Sequence, residues 1–137
     1  MGQDYKRLNH SVSLINFHFV WIPKRRKKIL VGQIAERLDA LLHEKCKDLG
    51  LEIIALEIQS DHVHLFVNAL PKFAPRDIAF LLKGYTSRML RAEFPGLKTV
   101  YPRGKDRSLW TNSYFVSTAG NVSSETVRRY IEGHSTR

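Results

Sequence analysis

The sequence predicts an α+β fold: a ferredoxin-like (RRM-like) βαββαβ antiparallel sheet with two packed helices, plus a C-terminal helix. Three observations carry that prediction. Four segments have strand-like patterns, around residues 11–22, 51–59, 61–67 and 109–118. Two further segments have apolar residues recurring at helical spacing. Their order is strand, helix, strand, strand, helix, strand, which is the split βαβ arrangement. A chain of 137 residues, 43% of them hydrophobic, suits one domain spanning 1–137 with a single core.

The first strand runs from Ser11 to Ile22, after a polar start at Met1–Asn9. Ile15, Phe17, Phe19 and Trp21 share its core face, while Asn16 and His18 fall on the other. Pro23 ends the ladder, having no N–H to donate. The first helix covers Gln33–Leu49, with Ile34, Leu38, Leu41, Leu42 and Leu49 as its apolar stripe. Gly50 follows as the residue that takes the left-handed conformation past the helix end. This helix has a packing role, and His43 and Cys46 lie in it without evident partners.

The second strand, Leu51–Gln59, places Ile54, Leu56 and Ile58 on one face and Glu57 on the other. Ser60-Asp61 is a two-residue turn into a third strand, so the pair forms a hairpin. Pro71 and Pro75 bracket the next loop, and a second helix runs from Pro75 to Phe94, where Pro95-Gly96 stops it. Its apolar face holds Ile78, Leu81, Leu82, Tyr85 and Met89. Arg76, Lys83, Ser87 and Arg91 fall together on another side, with Arg88 nearby. Lys98–Arg107 reads as a basic loop, and Leu109–Thr118 as a fourth strand opened by Trp110. Ser123 caps a third helix that carries Val127, Tyr130, Ile131 and His134 on one narrow face.

The charge balance bounds the partner. Lys+Arg is 22 against Asp+Glu 13, a net +9 with neutral histidines. A domain that basic favours a polyanion, nucleic acid before membrane. The cationic run Lys24-Arg25-Arg26-Lys27-Lys28 directly follows the first strand. It and the stripe of Arg76, Lys83, Arg88 and Arg91 are candidate phosphate contacts, with a solvated face as the alternative for each. Cys46 is the single cysteine, which excludes a disulfide framework within one chain and suits a reducing cytoplasm. The chain shows no signal peptide and no apolar run of membrane-spanning length.

The third strand carries the chemistry. In Asp61-His62-Val63-His64-Leu65-Phe66-Val67, His62 and His64 project from one face and Val63 from the other. Two imidazoles so placed are either ligands for a divalent metal or polar residues facing solvent. Asp61 is first a turn former and second an acceptor able to hold a ligand imidazole. An RNA-binding RRM is disfavoured, because His-Val-His stands where stacking aromatics belong. The far end of the chain favours the metal. His134 can supply a third ligand, and Tyr130, one helical turn away, is then delivered beside the ion. A divalent ion neutralises charge developing on a scissile phosphate. The tyrosine oxygen attacks phosphorus, forms a covalent 5′-phosphotyrosine and expels a DNA 3′-hydroxyl. The linkage conserves the bond energy, so a second 3′-hydroxyl can rejoin the strand without ATP.

These residues together resemble the single-tyrosine HUH transposases, the small enzymes of insertion sequences of the IS-two-hundred / six-hundred-five type. The resemblance covers nearly the whole chain. It includes Phe19-Val20-Trp21 and the basic residues after it, and Asp61-His62-Val63-His64-Leu65. It continues through Leu82-Lys83-Gly84 with Ser87-Arg88, Leu109-Trp110-Thr111-Asn112-Ser113-Tyr114 and Tyr130-Ile131-Glu132. It implies transposition of single-stranded DNA with hairpin ends by a homodimer, with Tyr130 as nucleophile and His62 and His64 as ligands. The well-known members usually carry Gln four residues after the tyrosine, where this chain has His134. The expected metal is Mg²⁺ or Mn²⁺, and three imidazoles make a softer set that favours Mn²⁺, or binds Zn²⁺ or Ni²⁺, over Mg²⁺. A composite site is expected, with His62 and His64 from one subunit and Tyr130 from the other. The rival readings are a non-catalytic single-stranded nucleic-acid-binding domain and a hydrolytic metal-dependent nuclease.

Overall fold

The computed structural model describes residues 15–100, 108–118 and Glu132. The expected C-terminal helix, with Tyr130 and His134, lies outside the described residues apart from Glu132, as do residues 1–14 and 101–107. Strand β1 is Ile15–Trp21, followed by helix α1, Gly32–Leu49. Strands β2, Glu52–Gln59, and β3, His62–Ala69, form the hairpin. Helix α2 is Pro75–Glu93, helix α3 is Leu97–Val100, and strand β4 is Phe115–Ser117. The strands make one antiparallel sheet in the order β2-β3-β1-β4, so β3 and β1 are central. That order and the intervening helices give the βαββαβ architecture expected of the sequence.

Each element follows from local chemistry. Gly50 sits at φ 75°, and its N–H and that of Leu51 return to the carbonyls of Lys47 and Cys46, closing α1. Pro75 stands in the first turn of α2, where its missing N–H costs nothing. The helices cover one face of the sheet. Phe17, Phe19 and Trp21 of β1 and Val63, Leu65 and Val67 of β3 are buried there with Leu38, Leu41, Leu42, Ile78, Leu82 and Leu90. Each such side chain contributes about 1.5–3 kcal/mol relative to exposure. Arg37 of α1 joins Glu93 of α2 through two hydrogen bonds of 2.7 and 3.1 Å, clamping the helices together.

Several expectations need correction. The fourth strand does not begin at Trp110, which makes only an isolated bridge to Pro23. The amides of Thr111 and Lys24, bonded to Ile22 O and Leu109 O, make that one bridge. The carbonyls of Thr111, Asn112 and Ser113 all accept from the Lys83 ammonium, at 2.7, 3.4 and 3.1 Å. Successive strand carbonyls point in opposite directions, so three converging on one cation exclude a ladder there. Trp110 is instead buried core. It packs edge-on against Trp21 at 6.0 Å and donates its indole N–H to Thr86 Oγ1 at 3.0 Å.

On β2 the register shifts between Ile53 and Ala55. A β-bulge there puts Ile53 against the core and turns Ile54 out to solvent, at 44% exposure. The stripe on α2 is not a continuous solvent face either. Ser87 is buried, and its hydroxyl accepts from the amide of Leu109, because the 109–110 segment lies along that side of the helix. The start of the expected basic loop is the short helix α3. His43 and Cys46 have surroundings of their own: His43 Nδ1 lies 2.9 Å from Asp39 O, and Cys46 belongs to the core.

Candidate functional site

The face of the sheet opposite the helices is the site. Alternation along β1 and β3 places Asn16, His18 and Val20 beside Asn68, Phe66 and His64 respectively. On the other side of β3, Glu57 and Gln59 of β2 pair with His64 and His62. The histidines therefore stand on a central strand, anchored by the packed residues between them.

His62 is oriented by its neighbour. Its Nδ1–H donates to Asp61 Oδ1 at 3.0 Å, because an ionised carboxylate can only accept. The second oxygen of Asp61 meets Arg26 Nε at 3.3 Å. Asp61 thus makes the turn, fixes the His62 ring and joins the Lys24–Lys28 run to the His strand. The arrangement leaves Nε2 of His62 as a lone-pair donor.

His64 Nε2 lies 3.5 Å from His18 Nδ1. His18 is buried and stacks flat on Phe66, ring centroids 3.9 Å apart and planes within 8°. Burial pushes the His64 pKa below the usual imidazole value, with His18 and His62 acting in the same direction and Glu57 against them. That direction favours the neutral ring, the form a metal requires. Sequence reasoning placed His18 on the non-core face of β1 and assigned it no role. Its closeness to His64 depends on the β1–β3 register, which no local pattern encodes.

His62 and His64 provide imidazole nitrogen donors of the kind that suits a divalent transition ion. Among the described residues no group of three His, Cys, Asp or Glu converges as a metal site. A tetrahedral or octahedral ion needs more than this pair, so the donor set fits a metal that takes further ligands from elsewhere.

The cations divide into two groups. Lys24–Arg26 form a 3-10 turn in which Arg25 and Arg26 take left-handed φ values of 58° and 50°. Arg25 Nη2 reaches Val100 O at 3.5 Å, and Lys27 and Lys28 follow. This turn is tied to the histidine strand through Arg26. The cations of α2 lie on the helix layer, across the sheet from the histidines. Arg76, Phe80, Lys83, Asn112 and Tyr114 line one groove of about 480 Å³, and Phe80 is 76% exposed. Ser87, Arg88, Arg91 and Lys98 line a second, where a buried Arg91 Nη1 has no hydrogen-bond partner.

A four-stranded antiparallel sheet that sets two histidines side by side on one face, in a chain of net charge +9, suits a protein that acts on nucleic acid. The chain belongs to the IS200-like transposase family, whose model matches residues 11–134. That is a family of enzymes that cleave and rejoin DNA. The chain is 34% identical over 129 residues to the ISDra2 transposase TnpA of Deinococcus radiodurans, covering 94% of this chain and 90% of that one. It is 29% identical over 129 residues to the IS200 transposase of Salmonella typhimurium, covering 94% and 82%. A crystal structure of a D. radiodurans R1 protein assigned as a transposase superposes with a TM-score of 0.83 at 32% identity, covering 96% of this chain and 99% of that one. A REP-associated tyrosine transposase solved with a REP hairpin shares the fold at TM-score 0.55 and 17% identity, covering 96% and 69%.

Proposed function

We propose that this IS200-like transposase cuts and rejoins single-stranded DNA at insertion-sequence ends through a 5′-phosphotyrosine on Tyr130. The observation that carries the reading is the His62–His64 pair, with Asp61 holding Nδ1 of His62. Those two imidazoles, with His134 as third ligand, would hold Mg²⁺ or Mn²⁺. Such an ion would supply charge neutralisation at the scissile phosphate. Asp61 takes the Nδ1–H of His62 and leaves its lone pair on Nε2, and the burial of His64 favours the unprotonated ring. Tyr130 attacks phosphorus and the 3′-hydroxyl departs with the proton balance closed by solvent. The reverse step, with a different 3′-hydroxyl, is strand transfer.

Substrate binding is assigned to Lys24, Arg25, Arg26, Lys27 and Lys28 and to Arg76, Lys83, Arg88 and Arg91. Lys83 reaches DNA only if it leaves its three carbonyls, so its share is expected to be smallest. The REP-associated enzyme is described as bound to a hairpin, which supports hairpin-ended DNA as the substrate class here. The working unit is proposed to be a homodimer with Tyr130 delivered to the partner's histidines. Mixing Tyr130→Phe and His62→Ala chains should then restore cleavage, and no recovery would place each site within one chain.

The deciding experiment incubates the protein with single-stranded DNA from both flanks of its gene, with Mg²⁺ or Mn²⁺, on a denaturing gel. A metal-dependent covalent adduct that disappears in Tyr130→Phe is expected. Binding without an adduct under either metal overturns the enzymatic reading in favour of a binding domain, and cleavage without an adduct points to a hydrolase.

A further inference from the structure

The residue on this open face that the proposed chemistry leaves unused is His18. Three observations bear on it. It is 7% exposed on the face of the sheet opposite α1 and α2, where Val20 and Asn68 are buried as well. Its ring is fixed by a parallel stack on Phe66, its cross-strand partner. Its Nδ1 faces Nε2 of His64 at 3.5 Å, the long end of the hydrogen-bond range.

Two imidazoles meeting nitrogen to nitrogen make a hydrogen bond only if one donates and the other accepts. If His64 accepts at Nε2, its proton is on Nδ1, and no lone pair remains for a metal. If His64 donates from Nε2, the lone pair is on Nδ1 and the ring is a competent ligand. His62 shows the same logic in mirror image, with Asp61 taking its Nδ1–H and leaving Nε2. His18 does not itself complete a three-residue metal group with the others.

We propose that His18 is a positioning residue: its Nδ1 accepts the Nε2–H of His64 and presents the Nδ1 lone pair of His64 to the metal. This rests on the metal-binding reading above. The two ligand rings are thus held by unlike partners, a carboxylate from the turn for His62 and a stacked imidazole from β1 for His64. Partners behind a metal-bound histidine set ring orientation and tautomer, and their loss typically lowers metal affinity by about 10–100-fold.

The test uses the full-length protein. Isothermal titration with Mn²⁺ is run on the wild type, His18→Phe, His18→Asn and His62→Ala, with melting curves for each. Long-range ¹H–¹⁵N spectra of the metal-free protein report the tautomer of each histidine. Phe keeps the flat ring on Phe66 and removes the acceptor, whereas Asn places an acceptor near the former Nδ1. The expected result is a wild-type His64 protonated at Nε2 and a Mn²⁺ affinity about 10–100-fold weaker in His18→Phe. In His18→Phe the His64 tautomer should be mixed, and His18→Asn should recover part of the affinity. A folded His18→Phe that binds Mn²⁺ like the wild type overturns the proposal alone. So does a wild-type His64 protonated at Nδ1. A wild type that binds no more Mn²⁺ than His62→Ala overturns both this proposal and the metal reading.

Discussion

Neighbouring residues of β3 point to opposite sides of one sheet and meet opposite surroundings. Val63, Leu65 and Val67 are fully buried beneath α1 and α2, whereas His62, His64 and Phe66 stand on the opposite face. The same holds on β1, where Phe17, Phe19 and Trp21 alternate with Asn16 and His18. The covered face is a generic apolar core, tolerant of shape-conserving exchange. The open face is specific: each imidazole has a named partner and one nitrogen engaged. A central strand therefore joins the packed core to the candidate ligands, which suits a site that must hold ligand geometry closely.

Substitutions on the two faces should separate cleanly. The largest effect is expected from His62→Ala, which should reduce metal-dependent DNA cleavage by more than the roughly 10–100-fold typical of losing a mere outer partner. Its melting temperature should stay near that of the wild type, and a large drop would show that the open face also supports the fold. Next comes Leu65→Ala, whose buried side chain should cost about 2–5 kcal/mol in denaturant unfolding. What folded protein remains should cleave normally, since Leu65 packs in the core and its side chain is on the face of β3 opposite His62 and His64.

A smaller loss is expected at the buried hydrogen bond joining α2 to Trp110. Thr86→Val strands the Trp110 indole N–H and should cost about 1–3 kcal/mol, while Thr86→Ser should cost less. Cys46 sharpens the comparison through pH. Burial raises its pKa to about 12 from an unfolded value near 9.0. Above pH 9 the unfolded chain loses the proton first, so stability should fall as pH rises from about 9 toward 12, with no contribution at neutral pH. Cys46→Ala should flatten that alkaline slope, and thiol reagents at pH 8 should label Cys46 only after unfolding. The smallest difference lies on β2. Ile54→Ala should change stability by less than about 0.5 kcal/mol, as at other exposed positions. Ile53→Ala, on the core side of the bulge, should cost more, and equal costs would refute the bulge.

Local sequence signals determined much of this protein. The period-2 runs of β1 and β3, the stripe of α1, Gly50 past its end, the Ser60-Asp61 turn and Pro75 at the start of α2 all act within a few residues, where sequence pattern and backbone geometry correspond directly. The His62–His64 pair was legible for the same reason. Tertiary structure decided the rest. The bulge that turns Ile54 outward, the three carbonyls gathered by Lys83 and the docking of Trp110 on Thr86 join residues far apart in the chain. The meeting of His18 with His64 is the strongest case. A one-residue slip of β1 against β3 would send His18 into the core and leave His64 without its partner, and only the summed packing of both strands selects the register that brings them together.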